Sequence, residues 1–330
     1  MPPSSTSIAR RAPALLLITG LVLAPLGCSS GPSKERPVAQ NDAEVIDVAA
    51  AESVTKAEML KADGNIEAAL AEFERAIEVN PDLTVAYLGA GDIYRERGDY
   101  PEAEKRYSQA AELEPRNFDA QYKHGLTLQL LNRVSEAVRA YLRALSIRPD
   151  DFEANLNLAT AYLQLQEPAQ ALPYAQRAVR LNASSGPARV NLGSVYAAMN
   201  RHAEAVTEYL QAAEQMELSP ELLLNLADSY GKIERYAEMI GTLEQLVARH
   251  PSAIAYERLG FARFRVKTYD AALGSFQSAL NGVGVCLLNR YLWSDKKDRA
   301  ALDDAMRALK RSLQIQPNQP RIVELVTRYG

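Results

Sequence analysis

The side chains in this sequence that could do chemistry are spread along it at a regular interval and do not gather into a catalytic group. Asn157, Asn191 and Asn225 recur every 34 residues. A primary amide offers one acceptor and two donors, so a row of three can pair with both the carbonyl and the N–H of an extended peptide backbone. The same amides can equally bond to an adjoining helix. Lys123 and Arg258 hold the corresponding place in the flanking intervals, where a cation can meet an acidic partner or stay solvated. Tyr122, Leu156, Val190 and Leu224 each precede one of these polar residues. They form an apolar strip suited to the side chains of an extended segment or a helix. His124, His202 and His250 fall at unlike places in the interval and match no metal-ligand spacing, so neither metal nor cofactor is expected. No glycine-rich phosphate loop or nucleophile–base grouping stands out, which argues against an enzyme.

The interval belongs to the elements that must carry these side chains. From Thr84 to Asn117 the chain reads Tyr87-x-x-Ala90-Gly91-x-x-Tyr94, then Ala103-x-x-x-Tyr107, Ala110 and Pro115, and the layout recurs along most of the sequence. Units run from Ala50, Thr84, Phe118, Phe152, Gly186, Pro220 and Ala253, with a divergent one from Cys286 to Asn318. The eighth residue of each of the first seven is small: Ala57, Gly91, Gly125, Ala159, Gly193, Ala227 and Gly260. Glycine inside a helix costs about 1 kcal/mol against alanine, so its return at one place implies a close helix crossing. A second stripe follows, with Ala69, Ala103, Ala137, Ala171, Ala205, Ala272 and Ala305 at one position and Met239 as the exception. One turn on come Phe73, Tyr107, Tyr141, Ala175, Tyr209, Leu243, Phe276 and Leu309, on the same helical face. Pro81, Pro115, Pro149, Pro251 and Pro317 separate the units, because proline cannot continue a helix. Asn281-Gly282-Val283-Gly284-Val285 is expected to break the seventh unit's second helix, and Trp293 falls where the eighth unit needs a small residue. Cys286, beside Leu287 and Leu288, reads as a core thiol. After Pro320, Ile322, Val323, Leu325 and Val326 form an amphipathic run that would cover the open end.

This pattern resembles the tetratricopeptide (TPR) helix-turn-helix repeat. The resemblance implies an all-α fold, a right-handed superhelix of about seven to eight repeats over residues 50–318 with a capping segment at 319–330. First helices would line the concave side, their positions 2, 5, 6, 9, 12 and 13 facing a groove that holds a protein or peptide partner. The asparagine row at position 6 resembles the ladder in the groove of the O-linked N-acetylglucosamine transferase superhelix. The carboxylate clamp of chaperone-binding TPR domains is not reproduced: Val54 and Glu58 stand where Lys and Asn are needed, and near the C-terminus only Asn225 and Arg258 match.

The N-terminus has a different character. Met1–Arg11 carries two arginines and no acid, Ala12–Leu26 is apolar, and Gly27-Cys28-Ser29-Ser30 follows. A charged start before an apolar run too short for a span is a secretory signal. Cys28 at the end of that run resembles the lipidation site of bacterial lipoproteins, although Pro25 departs from the usual residue there. Residues 1–27 would then be a signal peptide, and Cys28 would take thioether-linked diacylglycerol and an N-acyl chain, an attachment that more than one chain makes stable. Ser29–Asp42 is polar without apolar periodicity and reads as a flexible linker, so that the lipidated cysteine and linker are assigned residues 28–49. Ser29 and Ser30 following the cysteine point to the outer membrane, with the body in the periplasm. Net charge is −4 over the whole chain and −6 without Arg10 and Arg11, so no basic stripe for nucleic acid is indicated. With only Cys28 and Cys286 there is no disulfide framework. Bacterial TPR lipoproteins of this plan include pilotins and adaptors of cell-wall hydrolases; a soluble TPR adaptor or co-chaperone without an anchor is the alternative. Partner identity and oligomeric state are not written in the sequence.

Overall fold

The computed structural model describes the backbone of residues 38–294 and 296–330, with side-chain surroundings from residue 47 onward. Among the described residues every regular element is a helix. In chain order these are α1 Val38–Ala62, α2 Ile66–Val79, α3 Thr84–Glu96, α4 Tyr100–Leu113, α5 Phe118–Leu130, α6 Val134–Ile147, α7 Phe152–Gln164 and α8 Pro168–Leu181. They continue as α9 Gly186–Ala198, α10 His202–Gln215, α11 Pro220–Lys232, α12 Tyr236–Arg249, α13 Ala253–Arg265, α14 Tyr269–Trp293, α15 Arg299–Ile315 and α16 Pro320–Tyr329. Neighbours in sequence are neighbours in space, and each hairpin packs on the next, as in a solenoid.

The hairpin geometry follows from a size match across the two helices. A methyl group added to Gly91 would lie 2.7 Å from the Tyr107 ring, one on Gly125 2.8 Å from Tyr141, one on Gly193 2.6 Å from Tyr209 and one on Gly260 2.8 Å from Phe276. Those distances are far inside van der Waals contact, so the aromatic is accommodated only because glycine faces it. Where the first helix has alanine instead, the facing residue shrinks in the fourth and sixth hairpins: Ala159 with Ala175, Ala227 with Leu243. In the first hairpin Phe73 opposes Ala57 and leans on Gly89 of the next repeat, whose added methyl would sit 2.4 Å from the ring. Tyr107, Tyr141 and Tyr209 are fully buried by this arrangement.

The turns repeat as faithfully. The residue two before each of α2, α4, α6, α8, α10, α12 and α14 is left-handed, Gly64 and Gly98 near φ +80°, then Asn132, Gln166, Asn200, Glu234 and Lys267 near +60°; before α15 the left-handed residue is Lys296, three positions ahead. Glycine adopts this freely, whereas other residues lose about 1–2 kcal/mol. From α5 to α13 the first helices start on a side-chain cap, with Asn117, Asp151, Ser185, Ser219 and Ser252 each accepting from the backbone N–H three residues on, whereas α3 has Leu83 there and no such cap.

Three expectations are corrected. Helix α14 runs unbroken through Asn281–Val285, since a glycine's cost of about 1 kcal/mol is outweighed by packing. Gly284 lies against Leu309, where a methyl would meet the side chain at 2.4 Å. Gly284, and not Trp293, therefore occupies the small position of the last hairpin. Its arms extend about one turn further beyond the crossing than the others do, and Trp293 ends 86% exposed. Second, Cys286 is exposed, because it sits off the face of α14 that packs on α15. Third, α1 begins at Val38, so residues 38–49 of the stretch assigned to a linker are helical; the alanines in that stretch favour helix more than its polar composition suggests. In its most apolar window α14 has a mean hydropathy of 1.4, enough by composition for a membrane span. It packs between α13 and α15 as a member of the stack. Helix α16 closes the described end with Ile322 buried against α15.

The glycine–aromatic match is testable as a cycle. Gly193→Ala is expected to cost roughly 1–3 kcal/mol by overpacking. In a Tyr209→Ala background, which reproduces the Ala159–Ala175 pairing, the same change becomes neutral or stabilising by up to about 1 kcal/mol. Urea unfolding of the four proteins measures both terms; equal effects in the two backgrounds would refute the match.

Candidate functional site

Consecutive first helices touch one another, α5 with α7, α7 with α9 and α9 with α11, and among the described residues no pair of second helices comes as close. The first helices therefore make the inner wall, and the polar and apolar rows at positions 5 and 6 lie along it. Tyr122, Leu156, Val190 and Leu224 are half-buried there, as are Lys123, Asn157, Asn191, Asn225 and Arg258.

The wall's polar groups are largely satisfied by each other. Lys123 Nζ pairs with Asp92 at 2.7 Å, and Asp92 also accepts from Tyr107 Oη at 2.6 Å. Asn191 Nδ2 donates to Thr160 Oγ1 at 2.8 Å, and Arg258 pairs with Asp228. In each case position 6 of one helix reaches position 9 of the preceding one. Asn157 instead donates to Tyr122 Oη at 3.0 Å. The amide row is thus a link between repeats at Asn157 and Asn191. Asn225 has no hydrogen-bond partner among the described residues, and the Oδ1 of Asn191 is buried without one. Lys123 and Arg258, read from sequence as cations that an acidic partner could meet, already hold carboxylates of the stack.

Electrostatics follow from this packing. Burial, reinforced by Glu153 and Asp151, pushes the Tyr122 phenol up to about 12, against the opposing donation from Asn157. Burial also raises Tyr107, with Asp92 adding to it, and raises Tyr141 and Tyr209. His124 is held below the ordinary imidazole value by burial, which outweighs the opposing effect of its hydrogen bond to the Glu104 carboxylate at 3.2 Å. Among the described residues no three His, Cys, Asp or Glu side chains are grouped to hold a metal ion.

Toward its C-terminal end the wall opens into a hollow of about 860 Å³ between α11, α12 and α13. Ile254, Phe261, Tyr236 and Met239 supply its apolar lining, with Arg258 and Arg265 at the rim. Sequence reading did not pick out Ile254, Phe261 or Arg265. The signal was available: they stand at positions 2, 9 and 13 of the unit that starts at Ala253, places already assigned to the groove. Met239, the exception in the alanine stripe, lies at the floor of the same hollow. Cys28 and residues 1–27 lie outside the described residues.

Comparison with known proteins agrees with this geometry. A family model described as a tetratricopeptide repeat matches residues 55–103, 156–221 and 224–283, more than half of the chain, and one described as a TPR repeat matches 91–132 and 130–166. The chain belongs to the tetratricopeptide repeat family. Solved TPR structures share its fold. A tetratricopeptide repeat protein from Parabacteroides merdae aligns over 84% of this chain and 98% of that one, at 17% identity and TM-score 0.53. YrrB, described as a TPR protein with an unusual peptide-binding site, aligns over 59% and 97% at 24% identity and TM-score 0.52. PilW, described as a widely conserved type IV pilus biogenesis factor, aligns over 64% and 96% at 20% identity and TM-score 0.52. At these identities the likeness is one of fold. No curated protein sequence matches the chain. TPR repeat proteins are typically non-catalytic protein-interaction scaffolds, and the family models that match are those of TPR repeats.

The buried phenols predict alkaline instability. An unfolded tyrosine ionises near 10, whereas Tyr122 keeps its proton to about 12, so the folded chain binds protons more tightly. Stability is expected to hold below about pH 10 and to fall as pH rises from there toward 12. Tyr122→Phe should make that fall shallower in urea titrations at stepped pH; an unchanged slope would show that Tyr122 ionises as freely folded as unfolded.

Proposed function

We propose that this TPR protein is a non-enzymatic, membrane-tethered scaffold that holds a segment of a protein partner against its first-helix wall while a bacterial cell-envelope complex assembles. In this reading Cys28 carries the lipid anchor, residues 1–27 are removed, and the body lies in the periplasm at the outer membrane. The observation that carries the binding role is the wall itself: a continuous row of half-buried apolar residues beside amides, leading to an open apolar hollow. Such a surface suits a peptide backbone with apolar side chains better than an anionic polymer. The N-terminal charged, apolar, Gly27-Cys28 order supports the anchor. The fold shared with a pilus biogenesis factor makes pilus or secretion machinery the class of complex to test first.

The anchor is tested by expressing the full chain with its N-terminus intact. Wild type is expected in the membrane fraction and labelled by radioactive palmitate, with Cys28→Ser unlabelled and released. Identical fractionation and labelling of the two would remove the anchor from the account. The wall is tested separately by placing a photo-crosslinking amino acid at Asn225 or at Lys105, the latter exposed on second helix α4. Irradiation of cells should give a discrete adduct from the Asn225 position and none from Lys105. The same adducts from both, or none from either, would refute a partner on the wall.

A further inference from the structure

The wall changes character along its length. Over α7, α9 and α11 the residues at positions 9 and 12 are Thr160 and Leu163, Ser194 and Ala197, Asp228 and Gly231, mostly small. At α13 the same positions hold Phe261 and Phe264, and position 2 is Ile254. Ile254 is 55% exposed and Phe261 46% exposed, both on the hollow of about 860 Å³ whose floor includes Met239. Large apolar groups left this open in a concavity are unusual for a surface that only needs to be soluble.

The hollow's charges say what would enter it. Asp228 pairs with Arg258, and Glu234 lies 3.7 Å from Arg265. The Arg265 guanidinium also sits over the Tyr236 ring, 4.7 Å from its centroid, and 5.9 Å from that of Phe261. The two remaining charged lining residues, Lys232 and Glu257, are of opposite sign. An incoming carboxylate or ammonium would therefore compete with partners already in place and desolvate existing pairs. A neutral apolar side chain would displace only water and cover Phe261 and Ile254.

We propose that this hollow is an anchoring subsite that takes one uncharged aromatic or large aliphatic side chain of a partner peptide, whose backbone continues along the amide row. The inference rests on the wall being a peptide-binding surface and adds where the grip lies and what chemistry it selects. Phe261 is the principal contact and Ile254 the second. Both are substantially exposed, so polar substitutions there leave the buried stack intact.

The test is selection of random linear peptides displayed on phage against the immobilised full chain, followed by affinity measurements on a synthetic peptide of the enriched sequence. Enriched peptides should share a Phe, Trp, Tyr, Leu, Ile or Met at one fixed position. Replacing that residue with Ala, or changing the protein by Phe261→Ser or Ile254→Ser, should weaken binding by roughly tenfold or more. Trp293→Ser, which removes an exposed aromatic outside the hollow, should leave affinity unchanged. Thermal melting of each variant confirms that the stack persists. Enrichment of acidic or basic peptides overturns the inference. So does binding that is lost in an Asn157, Asn191, Asn225 triple alanine variant and kept in Phe261→Ser; that result leaves the wall as a binding surface while removing this anchor. Failure to enrich any peptide, or binding indifferent to both sets of changes, overturns the anchor and the wall together. Self-association of the purified chain that Phe261→Ser abolishes would make a second copy the occupant and equally refute a peptide anchor.

Discussion

An aromatic ring on one helix packed against a glycine of its partner sets the dimensions of this molecule. The contact fixes how closely the two arms of a hairpin approach, and the approach fixes where side chains on the remaining faces must point. In a stack where each hairpin touches only its neighbours, an error in one separation would tilt everything beyond it. That explains why size is conserved across the contact, although identity is not. Tyr209 against Gly193 and Leu243 against Ala227 fill the gap by different divisions of volume, and the smaller Ala159–Ala175 pair has the stacked rings of Tyr162 and Tyr174 packed against it. The turns are bound by the same requirement, since the chain must reverse at a set distance from the crossing. Gln166, Glu234 and Lys267 adopt φ near +60° because the hairpin dictates the conformation, not because those residues prefer it.

With the crossing occupied by small and aromatic residues, polar side chains are left to the wall, where successive first helices bring position 6 beside position 9. The pairs formed there differ in chemistry while keeping their geometry: an ion pair for Lys123 and Asp92, an amide–hydroxyl bond for Asn191 and Thr160, an ion pair again for Arg258 and Asp228. Each satisfies groups that the stack would otherwise leave half-buried and unpartnered. The wall therefore shows little free charge to a visitor, despite carrying many charged residues. Recognition on such a surface falls to shape, apolar contact and backbone hydrogen bonds.

What could be read from sequence was what the period dictates. Small residues at the crossing, aromatics one helix away and first helices starting at Thr84, Phe118, Phe152, Gly186, Pro220 and Ala253 all follow from spacing alone. What could not be read depends on partners brought together by the stack. Whether Asn157 waits for a ligand or bonds to Tyr122 is decided by a hydroxyl 35 residues earlier on a different helix, and no periodic rule supplies it. The glycines near Gly284 look like a break because their helix penalty is local, whereas the compensation comes from Leu309, 25 residues on. Exposure of Cys286 follows from that same continuity, which turns its face of α14 away from α15.

The C-terminal hairpins show where the pattern yields to something other than folding. Between Asn225 and Arg258 the spacing falls to 33 residues, Met239 replaces the recurrent alanine, and Phe261 stands where the three preceding repeats have Thr160, Ser194 and Asp228. Gly284 also breaks the numbering, yet its contact with Leu309 restores the crossing, so packing alone accounts for it. Phe261 has no such account: it meets Tyr236 of the preceding hairpin only edge-on, with ring centroids 6.5 Å apart, and leaves much of its own ring in contact with water. A scaffold built from copies has no structural need for an exposed phenylalanine at one copy only. Departures of this kind collect where a local rule is relaxed for binding, and here the departures at Met239 and Phe261 line the same hollow.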